Sequence, residues 1–241
     1  MREPQFRSTD VDKHQRPFDK GLEDLKKKLI HMAALTETMI DKAIGELVSR
    51  DESQASKIPE YEDEVNRIQI EIDEVALTLL ATQQPVASDL RFIVAATKIN
   101  SELERIGDLV INITENAHIL LSQPPLKPLI DIPRMADLSR QMVRESLQAF
   151  LAGDALLAHS VIMTDDQVDA LKEQVLRELL TYMMSDPRSI ERAIALILIS
   201  RHLERIGDHA TNIAEDVIYM IQGRDVRHPR LRKDRPGESQ A

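Results

Sequence analysis

LERIGDLVINITE, residues 103–115, returns as LERIGDHATNIAE at residues 203–215. LERIGD is repeated letter for letter, and an Asn-Ile pair and a Glu follow at the same places. A repeat separated by 100 residues marks duplicated units, not a solenoid of short ones. The stretch has helical periodicity. Ile99, Leu103, Ile106, Val110, Ile113 and Ala117 are spaced by alternating steps of four and three. Ile199, Leu203, Ile206, Ala210, Ile213 and Val217 repeat those steps. Such a seam packs against other helices.

A second stripe runs through Glu104, Asp108, Asn112 and Glu115. At about 100° per residue it points roughly opposite the seam, so the sequence places it on the outer surface. It has two odd features. Glu104 and Asp108, one turn apart, are like charges, which repel by a few tenths of a kcal/mol. Gly107 and Gly207 lie mid-helix, where glycine costs about 1 kcal/mol relative to alanine. One reading is inheritance, since a duplication copies its quirks. The sharper reading is that the carboxylates bind cations and the glycine lets backbone or ligand approach closely.

Outward from the repeat, 241 residues suit two domains of about 100 residues each. The chain has no Trp and few Phe or Tyr, and its periodic segments are poor in Gly and Pro, the composition of a long-helix protein. It has no Cys, hence neither a disulfide framework nor a thiolate metal site. No signal peptide and no membrane-spanning apolar run is present, which predicts a cytoplasmic protein that is not membrane-embedded. A net charge of −10 argues against nucleic acid as a general partner.

Residues 1–17 are polar and aperiodic and are read as a disordered tail. Residues 18–121 form a first three-helix unit. Its first helix carries Leu22, Leu25, Leu29, Met32, Met39, Ala43 and Leu47 and stops around residues 49–53. Its second carries Val65, Ile68, Ile72, Val75 and Leu79 and ends near Gln84-Pro85. Ser88 is the expected cap of the third. The proline-rich segment 122–133 is the linker, residues 134–223 a second three-helix unit, and residues 224–241 a basic disordered tail. Met32, Leu35, Met39 and Ile44 match Met135, Leu138, Met142 and Leu147 at an offset of 103. The third helices match at 100, so the second unit has lost three residues around Asp186-Pro187. The fold class expected is all-α, a tandem duplication of a three-helix bundle.

Asp165 and Asp169 form another acidic pair, near the start of the fifth helix, and Glu62 and Asn66 are their counterparts. Acids at a helix start are favoured by its dipole, a sufficient reason for them on their own. Brought beside Glu104 and Asp108, or Glu204 and Asp208, they would make oxygen-rich clusters suited to Mg²⁺, Mn²⁺, Ca²⁺ or iron.

Two three-helix units, each with an E(D)xxxD motif inside ERIGD on its third helix, resemble the PhoU family over roughly residues 19–223. The resemblance implies a six-helix fold with multinuclear metal clusters on each bundle, iron, zinc, manganese and magnesium being the candidate ions. It also implies negative control of phosphate uptake and phosphate-responsive genes, between the phosphate ABC transporter, through its ATPase subunit PstB, and the sensor histidine kinase PhoR, in a protein that often forms a homodimer. Carried onto this chain, the metal residues are Glu62, Glu104 and Asp108 in the first unit and Asp165, Asp169, Glu204 and Asp208 in the second. Asn66 stands where an acid is expected, which predicts a looser first cluster. Asn112, Asn212, Glu115 and Glu215 share the stripe as further ligands or their supports.

No enzyme is expected. A di-iron bundle needs two inward Glu-x-x-His pairs, and Ile218 stands where the second copy would need the counterpart of His118. There is no glycine loop that cradles phosphate. His202 and His209 share a face, but two ligands make a poor zinc site, so they are read as surface or partner-contact residues. The alternative function is a metal-free helical adaptor whose acidic stripe is a docking surface.

Overall fold

The structure, a computed structural model, describes residues 17–223 and Val226. The segments read as tails, 1–17 and 224–241, lie outside it apart from Pro17 and Val226. Six long helices make up the described chain: α1 Pro17–Ser49, α2 Ile58–Gln83, α3 Ala87–Leu121, α4 Asp131–Ala152, α5 Ala155–Ser185 and α6 Ile190–Gln222. Among the described residues there is no strand. No helix among them is long and apolar enough to cross a membrane.

Each half is a three-helix bundle, with α1, α2 and α3 packed on one another and α4, α5 and α6 likewise. All six residues of the α3 seam, from Ile99 to Ala117, are buried, as are all six of the α6 seam, from Ile199 to Val217. The helix ends follow local chemistry. Gln84 takes the left-handed conformation just before Pro85 and closes α2. Gly153 does the same for α4. Asp154 then caps α5 by accepting hydrogen bonds from the backbone N–H groups of Leu156 and Leu157, at 2.9 and 3.0 Å. The offset changes from 103 to 100 between α5 and α6, but the connection itself is not shorter. Residues 186–189, with the 3₁₀ turn Pro187–Ser189, stand against 84–86 between α2 and α3, and the loss is taken up by α6, which starts three positions later in register than α3.

Two boundaries differ from the sequence reading. Helix α4 starts at Asp131, so the last three residues assigned to the linker form its first turn. Pro133 fits there because the first turn leaves its N–H groups without intrahelical partners anyway. Helix α3 starts at Ala87, and Ser88 is inside it, not its cap.

The halves join through α3 against α6 and α1 against α4. Both contacts are antiparallel. Along α3 and α6, Arg91 donates to the Met220 carbonyl (2.9 Å), Lys98 pairs with Asp216 (2.8 Å), and Glu102 meets His209 (2.6 Å). Along α1 and α4, Asp41 pairs with Arg140, and Glu37 with Arg144. Those last two pairs exchange under the offset of 103, so acids on α1 face bases at the duplicated positions of α4. The copies have thus diverged in charge where they meet, which lets each half recognise the other and not itself.

Candidate functional site

The carboxylates singled out in the sequence gather at the seams α2/α3 and α5/α6. In the second half, burial and then the neighbouring Asp208, Asp169 and Glu204 push Asp165 up to about 6. Asp208 is raised as well, by burial and then by Glu204 and Asp169. Four carboxylates from two helices therefore share one electrostatic neighbourhood. Lys172 is the counter-charge. Its ammonium lies 2.9 Å from Glu204 Oε1 and 3.2 Å from Asp169 Oδ1.

The first half repeats the arrangement with other means. Burial raises the Glu104 carboxyl, and Asp108 and Glu62 raise it further. Asn66 donates its amide to Glu62 Oε1 at 2.7 Å. Gln69 occupies the position of Lys172 at the offset of 103. One half thus quiets its acids with an amide, the other with an ammonium.

The stripe faces outward at Asp108, Glu115, Asp208 and Asn212, which are exposed, and is half covered at Glu104 and Glu204. Only 18% of the Glu204 side chain is exposed. In a three-helix bundle each helix has two neighbours, so its covered arc reaches past the apolar seam to the flanking positions. The N-terminal placement of Asp165 also needs correcting. Helix α5 begins at Ala155, so Asp165 and Asp169 are well past its first turn. The dipole acts over that first turn only and gives no reason for acids there.

Gly207 and Gly107 are not equivalent. A Cβ on Gly207 would sit 3.2 Å from Asp165 Oδ1 and 3.6 Å from Met142 Cε. A Cβ on Gly107 would meet Val65 Cγ1 at 3.5 Å, an ordinary contact. Gly207 makes room for a carboxylate of the cluster, whereas Gly107 has room for a methyl group. Gly107→Ala is therefore expected to stabilise the protein, by up to about 1 kcal/mol. Gly207→Ala should gain less or lose stability, because Asp165 must shift. Thermal melts of the two variants check this, and equal gains would remove any special role for Gly207.

The donor set contains oxygen only, carries like charges held together, and brings Asp165 close to the α6 backbone at Gly207. In chemistry and charge it fits hard or borderline cations. Among the described residues, however, no three acids or histidines already converge on one ion position. Lys172 accounts for part of that in the second half, since it draws Glu204 and Asp169 to itself. A bound cation would take them over from the ammonium.

Asn112 donates to its own helix, to the Asp108 carbonyl. Asn212 donates to Glu102 at 3.1 Å. His209 is not a surface residue. It is 9% exposed, and its Nδ1 meets Glu102 across the α3/α6 interface. His202 is half-buried, and burial, helped by Arg205 and Arg201, lowers its pKa. Sequence reasoning missed Lys172 and the Glu102–His209 contact. The first had a signal, the change from Gln69 to Lys172 between copies. The second had none, because which helix faces which across the duplication is not written in either repeat.

A PhoU domain model matches the chain twice, over residues 29–117 and 132–217. The chain is 42% identical over 213 residues to a phosphate-specific transport system accessory protein PhoU homolog of Pseudomonas aeruginosa, covering 88% of each. It is 41% identical over 214 residues to that of Aquifex aeolicus, covering 89% of this chain and 97% of the relative. The crystal structure of PhoU from Pseudomonas aeruginosa superposes with a TM-score of 0.82 at 40% identity, over 86% of this chain and 100% of that one. The crystal structure of the phosphate transport system regulatory protein PhoU from Streptococcus pneumoniae gives 0.79 at 30% identity, over 87% and 99%. With the fold, the doubled motif and these relatives in agreement, the chain belongs to the PhoU family of phosphate-transport accessory proteins.

Proposed function

We propose that this protein is a negative regulator of phosphate uptake and of phosphate-responsive genes. It acts in the cytoplasm, as a homodimer, between the ATPase subunit PstB of the phosphate ABC transporter and the sensor histidine kinase PhoR. The observation that carries this reading is the family match over both halves, to relatives named as accessory proteins of phosphate-specific transport. The helical surface, without a phosphate-cradling glycine loop in the sequence, suits a protein that works by contact. Deleting the gene is expected to leave phosphate-scavenging genes expressed in phosphate-rich medium, read with a transcriptional reporter. Unchanged repression in a clean deletion would overturn the assignment.

The proposal includes cations at the two acidic clusters. Glu62, Glu104 and Asp108 would hold one group of ions, and Asp165, Asp169, Glu204 and Asp208 the other. Bound iron, zinc, manganese or magnesium would supply positive charge, offsetting the burial and the repulsion that raise Asp165 and Asp208. The protein's part is to hold like charges together on rigid helices, with Gly207 leaving the space. One observation favours the second reading, a metal-free adaptor. Lys172 already neutralises part of the second cluster, leaving the acidic seam as a docking surface.

A further inference from the structure

Glu46 is fully buried near the C-terminal end of α1, and neither carboxylate oxygen has a well-aligned hydrogen bond. The Nε2 atom of His118, on α3, lies 3.1 Å from its Oε1, and the imidazole is largely exposed. The duplication supplies a built-in control for this pair. At the offsets that relate the halves, Ala149 stands for Glu46 and Ile218 for His118, and both are fully buried. The second half is therefore built with an apolar pair at these two places, Ile218 being covered where His118 is largely exposed, and the acid–imidazole pair is particular to the first half.

We infer that Glu46 and His118 form a proton-operated latch between α1 and α3, present in the first half only, which loosens as the imidazole loses its proton. A buried carboxylate is stable when a cation sits on it and costly when it does not. Histidine changes charge between about pH 5 and 8, so it supplies that cation conditionally. The other groups facing Glu46 are Asp51 and Glu52, in the turn between α1 and α2, and both oppose its charge. Burial is the largest influence on Glu46 and raises its carboxyl above the ordinary value of 4.5. Arg50 offers no relief, because its guanidinium is engaged by the carbonyls of Leu120, Leu121 and Gln123 at the end of α3.

The location gives the latch a consequence. Gln123 bonds Glu191, and Arg192 bonds the Pro124 carbonyl, so the end of α3 is where the linker is tied to α6 of the other half. Loosening α3 there loosens the junction between the halves.

The sign follows from linkage. A carboxyl raised in the folded state binds protons more tightly there than in the unfolded chain, so stability falls as pH rises from 4.5 through the raised value. The test is melting of the full-length protein against the double variant Glu46→Ala/His118→Ile, which installs the second half's own residues, from pH 5 to pH 8.5. The double variant is expected to melt above wild type at pH 8, by roughly 3 °C or more, with the gap closing toward pH 5. All other titrating groups are common to both proteins and cancel. Glu46→Gln, which keeps size and removes only the charge, should flatten the same dependence. Amide exchange at residues 118–123, corrected for its intrinsic pH dependence, should quicken with pH in wild type and stay level in the double variant. A gap independent of pH, or Glu46→Gln with the wild-type pH profile, overturns the latch.

Discussion

Metal-free protein carrying Asp165→Asn is expected to melt higher than wild type at pH 7 and to lose that advantage near pH 4. Burial and the Asp208, Asp169 and Glu204 charges raise the Asp165 carboxyl from 3.8 to about 6. Between those values the folded state holds a proton that the unfolded chain has released, so stability falls as pH rises through the window. Above about pH 6 the full cost of a charged Asp165 is present. A shift of this size is worth about 3 kcal/mol at most, and screening at a half-open site leaves roughly half. The asparagine variant should therefore gain about 3–6 °C at pH 7. Asp166→Asn, at the exposed next position, should change little. The measurement is thermal melting after chelation, from pH 4 to pH 7.5. No gain at neutral pH, or the same gain at pH 4, would mean that the Asp165 charge is not strained in the folded protein. Such strain is expected where a structure holds a cation and spends stability to prepare the place for it.

The helical class and the two apolar seams were legible in the sequence because helical periodicity is a local signal, repeated over many turns. The duplication was legible for a different reason. Two copies of LERIGD can be aligned without knowing any structure, and the drift from offset 103 to 100 located the loss near Asp186-Pro187, though it shortens the start of α6 and not the connection. What a periodic pattern omits is the neighbour. It told that Glu104 and Glu204 were off the seam, not that α2 and α5 would half cover them. It told that Asp165 opened an acidic pair, but not that capping by Asp154 starts α5 ten residues earlier. The same limit hid Glu46. Its position on α1 carries a hydrophobic residue's burial with a carboxylate's chemistry, and only the approach of His118 from α3 makes sense of it. The acidic pairs that α2 brings to α3 and α5 brings to α6 were readable from the repeated motif, whereas Lys172 among them, Glu46 beside His118 and Glu102 beside His209 were not.

A divalent cation is expected to raise the melting temperature of chelated wild-type protein, and Asp208→Asn to remove most of that rise. Binding to the folded state alone contributes RT ln(1 + [L]/Kd), about 2.7 kcal/mol at 100 times Kd. For a chain of this size that is roughly 5–11 °C. Without metal, Asp208→Asn removes a like charge from beside Glu204 and Asp169, so its melt should stay level or rise. The variant thus separates a ligand from a solvated acid, since only a ligand makes the same substitution neutral without metal and costly with it. Asp108→Asn is the companion, and its loss should be smaller. The second cluster has four carboxylates, one of them close against Gly207, versus three carboxylates and the Asn66 amide in the first. Lys172 works against this order by carrying one positive charge into the second cluster. If its ammonium cancels the fourth carboxylate, the two variants lose equal amounts, and the halves are matched in charge despite their different residues. The assay compares Mg²⁺, Mn²⁺, Fe²⁺ and Zn²⁺ on wild type and both variants, beside the metal content of protein purified without an affinity tag. Should no ion move the wild-type melt and none co-purify, the acids are a docking surface. Lys172 would then be their resident counter-charge, and the adaptor reading would stand without metal.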